Sequence, residues 1–343
     1  MQAVHITRHG GPEVLELAEV PTPTPAAGEA LIRVIGVSVN HLDLWVRRGM
    51  PGFPVEFPRI PGCDGTGEVV AVGEGVNTLS VGQAVLLEPG YTCNLDGEEV
   101  RRGQDHRAPD YSIRGEHSDG FAAEFVTLPI RYCLPLPSGL DPIAVAATPL
   151  TFLTAWGLLI ERAEIRKGES VLVLGAGSGV GSAAIQIAKE EGCRVLTTGR
   201  SPEARALGLE LGAEAAVDHS DPTWPQQIKD LTGGKGVDVV VEHVGPATWA
   251  GSLRALARLG RLVTCGGTTG SEVTVQLPHL FIKQQAILGS TMGPRSALPL
   301  ILSRLAAGVY KPVVDRILPL AEVRQAHQLL EDRAVRGKIV LVP

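Results

Sequence analysis

A chain of 343 residues, 44% apolar and 20% charged, is long enough for two domains with separate cores and has the composition of a folded globular protein. Its formal charge of −6, with no basic stripe carrying interleaved aromatics, argues against nucleic acid or a membrane surface as partner. The five cysteines, Cys63, Cys93, Cys133, Cys193 and Cys265, are scattered without a C-x-x-C pair, and the opening MQAVHITRHGGPEV has no apolar signal-peptide core, so reduced thiols and a cytoplasmic location are expected.

In chain order, roughly the first 130 residues read as short apolar stretches punctuated by Gly and Pro: EALIRVIGVSVN, GEVVAVGEGVNTLSVGQAVLL and FAAEFVTLPI. That rhythm predicts an irregular β-barrel. From about residue 146 helical patterns alternate with the apolar runs SVLVLGA, RVLTTG, EAAVDH, VDVVVEHV, RLVTCGG and AILGS. Six such runs predict a doubly wound parallel six-stranded sheet, with a ligand beyond the carboxyl ends of its strands. The closing VVDRILPLAEVRQAHQLLED and GKIVLVP resume the first pattern. The expected domains are therefore 1–145 with 291–343, and 146–290.

The strongest motif is SVLVLGAGSGVGSAAIQIAK, a strand running into Gly175, Gly177, Gly179 and Gly181 and then a helix. Glycine permits a tight turn and close approach of a pyrophosphate, and the helix start offers unpaired N–H groups. Gly175, Gly177, Ser178, Gly179, Val180 and Gly181 are the candidate phosphate contacts. About 20 residues on, where NAD-binding sheets place an acid, stands Gly199, followed by Arg200 and Ser201. Loss of the acid and gain of a guanidinium favour the 2′-phosphate of NADP(H), with NAD(H) as the alternative. A plainer reading is compatible: Ser201 caps a helix and Arg200 lies in solvent.

These motifs, with GVSVNHLDLWVRRG, PRIPGCDGTGEVVAVGEGV, LTAWGLL, GKGVDVVVEHVG, FIKQQAILGSTMG and RGKIVLVP, give the chain a resemblance over nearly its whole length to the medium-chain dehydrogenase/reductase superfamily. The resemblance implies an α/β two-domain protein: a GroES-like barrel, a Rossmann domain, an active-site cleft between them, and homodimers or homotetramers joined through the last Rossmann strand. It also implies that Thr154, Gly266, Gly267, Ser290 and Thr291 lie along the nicotinamide half; His41 is expected to contact cofactor phosphate or solvent, with acid–base chemistry as the alternative.

Zinc-dependent members of the superfamily hold a catalytic metal at positions that here match Asn40, Cys63 and Leu150. A leucine has no lone pair to donate, and only Cys63, with neighbouring Asp64, is a competent ligand. The family's proton-relay hydroxyl is here Leu42. Asn40 is expected to position the substrate oxygen or the nicotinamide, or else to be a buried amide; Asp43 is expected to orient its neighbours. Where many relatives bind a structural zinc on four cysteines, this chain keeps Cys93, followed by Asp96, Glu99 and Ala108. That leaves either a mixed site with His106 or a decayed lobe whose acids face water.

The resulting expectation is an NADP(H)-dependent oxidoreductase without catalytic zinc, moving hydride between nicotinamide and a small-molecule quinone, enone or other carbonyl compound. Asn40, Asp43 and Cys63 are its catalytic candidates, and the loops at 50–60 and 88–96 shape its pocket. A zinc-type alcohol dehydrogenase and a non-enzymatic NADPH-binding protein are the alternatives.

Overall fold

Alternate residues of Glu29–Ser38, among them Ala30, Ile32 and Val34, are buried, as expected of a strand with one face on a core. In the computed structural model, which describes residues 1–50 and 52–343, that strand is the centre of the first of two compact units. Pro51, in one of the two loops expected to shape the pocket, lies outside the described residues. The first unit comprises Met1–Leu150 with Pro294–Pro343, and the second Thr151–Gly293.

The first unit opens with the antiparallel pair β1 (Gln2–Ile6) and β2 (Leu15–Glu19). There follow β3 (Glu29–Ser38), α1 (His41–Arg48), β4 (Asp64–Val72) and β5 (Ala84–Leu87). A lobe formed by β6 (Gly90–Tyr91), α2 (Glu98–Arg101) and β7 (Ser112–Ile113) precedes β8 (Phe125–Pro129) and β9 (Cys133–Pro135), then α3 (Pro142–Val145).

After α4 (Pro149–Trp156) the second unit alternates strand and helix: β10 (Ser170–Val173), α5 (Gly179–Glu190), β11 (Arg194–Thr198), α6 (Pro202–Glu210), β12 (Ala215–Val217) and α7 (Trp224–Leu231). It continues with β13 (Val237–Glu242), α8 (Pro246–Ala255), β14 (Leu256–Thr264), α9 (Leu277–Lys283) and β15 (Ala286–Gly289). The chain then returns to the first unit through α10 (Leu298–Ala306), β16 (Val314–Pro319), α11 (Val323–Glu331) and β17 (Lys338–Val342).

The six strands of the second unit form one all-parallel sheet in the order β12-β11-β10-β13-β14-β15, so their carboxyl ends share one edge. Leu172, Leu196, Val240 and Leu262 are fully buried within it and pack with Trp224 and Trp249 from α7 and α8. Each such aliphatic side chain contributes about 1.5–3 kcal/mol by leaving water. In the first unit the sheet order is β16-β17-β3-β4-β5-β9, with β8 also paired to β3, over a core that includes Ile6, Leu15, Ile32, Leu87, Phe121 and Leu128.

The unit boundaries fall slightly later in the chain than periodicity suggests, for local reasons. The Thr66 hydroxyl donates to the Pro142 carbonyl at 2.8 Å and the Leu150 N–H donates to Asp64 at 2.6 Å, tying both ends of the segment 142–150 to β4. At the other end Gly293 packs so closely on the Leu153 carbonyl that a Cβ has no room there. Among the described residues no helix is long and apolar enough to cross a membrane.

Candidate active site

The glycine-rich turn connects β10 to α5. Gly175 adopts a φ of +68°, which a Cβ would strain. Ser178 is the N-cap of α5, its Oγ accepting the Gly181 N–H at 2.8 Å. A Cβ on Gly181 would strike the Gly175 carbonyl oxygen, so this glycine is needed for the turn to close on the helix. Gly177, Gly179 and Val180 are half-buried along the same turn, where the first N–H groups of a helix lack intrahelical partners.

One neighbour of this turn escapes sequence reasoning. His243, directly after β13, is buried with Nε2 at 2.7 Å from the Leu174 carbonyl and 3.3 Å from Ser178 Oγ. A carbonyl only accepts, so Nε2 carries the proton, and burial holds the ring's pKa below its ordinary value. The only sequence signal is its place at the end of the apolar run VDVVVEH.

At the end of β11, Gly199 donates its N–H to Val217 at 3.0 Å, and Arg200 beside it is exposed. Ser201 caps α6 by accepting the Ala204 N–H at 3.1 Å. Arg205, one turn into that helix, donates to the Gly199 carbonyl at 2.8 Å and pairs with Asp218 at 3.0 Å. His219 bonds Thr198 Oγ1 at 2.8 Å, and burial, with the nearby Arg200 charge, lowers its pKa to about 4. Arg205, Asp218 and His219 were not singled out by the sequence, because a helix-surface arginine and a short β12 carry no distinctive pattern.

Further along the edge, the Thr264 hydroxyl donates to the Gly266 carbonyl at 3.3 Å, and a Cβ on Gly267 would strike the Gly270 carbonyl. Ser290 donates its N–H to the Thr264 carbonyl at 2.8 Å, and Thr291 is exposed. Thr154, in α4, is buried with its hydroxyl 3.7 Å from Met292 Sδ.

In the first unit, strand register assembles a different cluster. Ser38 pairs with Asp64 across β3 and β4 and with Val340 across β3 and β17, which brings Lys338 to the same place. Asn40 is the N-cap of α1 and is buried. Its Nδ2 lies 2.9 Å from Asp64 Oδ2, 3.3 Å from Cys63 Sγ and 3.3 Å from the Ser38 carbonyl, while its Oδ1 accepts from Lys338 Nζ. Both ends of the amide are thus engaged by the chain itself. Asp64 Oδ2 also accepts from Ser38 Oγ at 3.1 Å and faces Lys338 Nζ at 3.3 Å. An ion pair this buried is tolerated because neutral donors share its charge.

Asp43 accepts the Asn40 N–H at 2.7 Å and the Gly62 N–H at 2.9 Å, clamping the start of α1 to the turn before Cys63. Burial outweighs these bonds and pushes its pKa up to about 6. Cys63 has no exposed surface, and burial together with the Asp43 and Asp64 charges holds it as a thiol. His41 is half-buried at the first position of α1, and Leu42 packs against the barrel core.

The profile of the alcohol dehydrogenase GroES-like domain matches residues 26–138, and that of the zinc-binding dehydrogenases matches 179–307. Quinone oxidoreductase of Rattus norvegicus is 30% identical, the alignment covering 100% of this chain and 98% of that protein. The chain belongs to the medium-chain dehydrogenase/reductase superfamily.

Two solved members align with the whole of this chain. One, titled an NAD-dependent alcohol dehydrogenase, shares 43% identity over 100% of both chains with a TM-score of 0.96. The other, a mycobacterial protein complexed with NADPH, shares 29% identity over 100% of both chains with a TM-score of 0.83. This superfamily member is accordingly an NAD(P)-dependent oxidoreductase.

The superfamily's catalytic zinc does not fit the donors found at its positions. The Asn40 amide is committed to Lys338, Asp64 and Cys63, Cys63 is a buried thiol, and the Leu150 side chain has no lone pair to donate. Zinc needs about three thiolate, imidazole or carboxylate ligands. The structural-zinc lobe has a different fastening. Asp110 accepts the Thr92 hydroxyl at 2.6 Å and the N–H groups of Cys93 and Asn94, each at 2.8 Å. Cys93 and Asp96 are exposed, Glu99 is half-buried, and Ala108 and His106 are buried. Burial holds His106 neutral, its pKa lowered to about 4. Among the described residues no three His, Cys, Asp or Glu side chains are grouped to hold a metal ion.

Proposed function

We propose that this oxidoreductase uses NADP(H) to reduce a quinone, an enone or another activated carbonyl compound, and that it does so without catalytic zinc. The observation that carries the reading is the donor set at the zinc positions: an amide locked by a buried lysine, a protonated thiol and a hydrocarbon. Alcohol oxidation in this superfamily relies on a metal to stabilise the alkoxide, whereas quinones and enones already contain an electron sink. The rat relative's name agrees with that substrate class.

The dinucleotide fits the second unit's strand-end edge. Gly175 to Gly181 would receive the pyrophosphate, and Arg200 with Ser201 the 2′-phosphate, since no acid stands at Gly199 to bond a free ribose hydroxyl. Gly266, Gly267, Ser290, Thr291 and Thr154 would line the nicotinamide half. When bound, the reduced nicotinamide supplies hydride. Asn40 and Asp43 are then positioning residues that fix Cys63 and the start of α1. A homo-oligomer formed through β15 is part of the proposal, supported by that strand's place at the sheet edge and by exposed Leu277, Phe281 and Ile282 on α9. A cytoplasmic setting agrees with five free cysteines.

A second reading has specific support: the relative at 43% identity is titled an NAD-dependent alcohol dehydrogenase. One experiment separates the two. Oxidation of NADPH and NADH is followed by absorbance against quinones, enones and aldehydes, with and without chelator, beside metal analysis of the purified protein. Chelator-insensitive NADPH oxidation by quinones or enones is expected. One tightly bound zinc per chain, with alcohol oxidation lost to chelator, would establish the second reading instead.

A further inference from the structure

Among the described residues, the hydroxyl hydrogen of Ser178 in the turn between β10 and α5 has no acceptor, and His243 is the reason. The backbone around that serine is paired. Gly175 donates its N–H to Thr198 Oγ1 at 3.1 Å and accepts the Ser178 N–H at 2.9 Å, while Ala176 donates to the Thr198 carbonyl at 2.8 Å. Ser178 Oγ accepts the Gly181 N–H at 2.8 Å, which leaves its own hydrogen to be placed. The polar side-chain atom beside it is His243 Nε2, 3.3 Å away.

His243 cannot take that hydrogen. Its Nε2 lies 2.7 Å from the Leu174 carbonyl, which only accepts, so this nitrogen bears a hydrogen and has no lone pair to offer Ser178. The opposite tautomer would set two lone pairs against each other at that distance. The ring is only 9% exposed, and its Cε1 would stand 3.4 Å from a Cβ on Gly175, so it packs directly on the turn. The adjacent acid does not draw it away: Glu242 spends its oxygens on the N–H groups of Val244 and Gly245 and the hydroxyls of Thr248 and Ser252. Burial, against the opposing Glu242 charge, lowers the pKa of His243, and burial likewise lowers that of nearby His219 to about 4.

We propose that His243 is a positioning residue for the dinucleotide: by facing Ser178 Oγ with an N–H group, it leaves the serine hydroxyl to act as a donor to the pyrophosphate. The proposal rests on the reading of this turn as the pyrophosphate site. With Gly181 and His243 both presenting hydrogens to Oγ, the serine hydrogen is left for an acceptor from outside the chain. Phosphate oxygens only accept, and a hydrogen bond to an ionised acceptor is roughly twice as strong as one between neutral groups. All these residues belong to the second unit. The pyrophosphate is common to NADPH and NADH, so His243 should support both alike, whereas the role proposed for Arg200 concerns NADPH alone.

The test measures Kd for NADPH and NADH by nucleotide fluorescence in the full-length protein. His243→Phe keeps a ring without an N–H and should weaken both dinucleotides equally, by about tenfold. His243→Gln, whose amide N–H can stand near the Nε2 position, should recover most of that loss. Ser178→Gly removes the hydroxyl while leaving a residue tolerated at an N-cap, and combined with His243→Phe it should weaken binding hardly more than either change alone. A loss confined to NADPH, additive losses in the double variant, or a His243→Phe Kd within about twofold of wild type each overturns the proposal. Imidazole 15N NMR of the wild type tests the same point without a substitution: a hydrogen on Nε2 in the free and NADPH-bound protein upholds it, and one on Nδ1 overturns it. A wild type that binds neither dinucleotide removes the pyrophosphate reading itself, whereas tight wild-type binding with any of the contrary outcomes removes the role of His243 alone.

Discussion

The glycine-rich turn after β10 and the cluster around Asn40 are both built at strand ends, yet they are specified in opposite ways. The turn is written in consecutive residues, Gly175 to Gly181, whose backbone needs can be read one after another. The cluster joins Ser38, Asn40, Cys63, Asp64 and Lys338, which the pairing of β17, β3 and β4 brings together, and Leu150, which a bond from α4 adds. A site made of local backbone geometry tolerates few side chains at a few positions. A site made of side-chain pairing depends on every distant partner being kept.

The sharpest way to break that contrast is Gly181→Val. Its Cβ would collide with the Gly175 carbonyl, so NADPH affinity should fall by at least about 100-fold in a protein that keeps its circular dichroism. Affinity within a few-fold of wild type, measured by nucleotide fluorescence, would mean that the turn does not bind the pyrophosphate. Lys338→Met comes next. It strands the buried Asp64 carboxylate without its cation and should cost about 3–5 kcal/mol in urea unfolding. A loss below about 1 kcal/mol would show that the neutral donors Ser38, Asn40 and Leu150 suffice. Arg200→Ala is the mildest. It should weaken NADPH binding by about tenfold and leave NADH binding unchanged, whereas equal effects on both would remove Arg200 from the 2′-phosphate.

The same contrast explains what was legible in the sequence. The six strands of the second unit were, because unbroken apolar runs such as VDVVVEHV and SVLVLGA belong to strands buried on both faces. The closing segments resume the short-strand and short-helix pattern of the first residues, and β16 and β17 stand there. Lys338 was not legible, since a lysine in RGKIVLVP reads as a strand-end surface charge until its ladder with β3 is known. His243 was hidden likewise. It sits in an unremarkable string, VEHVG, and gains its character from what surrounds it in space. Sequence pattern reports the burial of segments well, but which polar atoms lack a partner is a property of the assembled fold.

The Asp110 staple carries a practical consequence for the lobe between β6 and β7. Its three bonds to Thr92, Cys93 and Asn94 hold the loop with groups that belong to the chain, two of them through backbone N–H groups. Those same bonds draw the Asp110 pKa below the usual carboxylate value. The fastening is complete above the ordinary aspartate range and loosens as acid protonates that carboxylate, so the order of this loop should fall with pH.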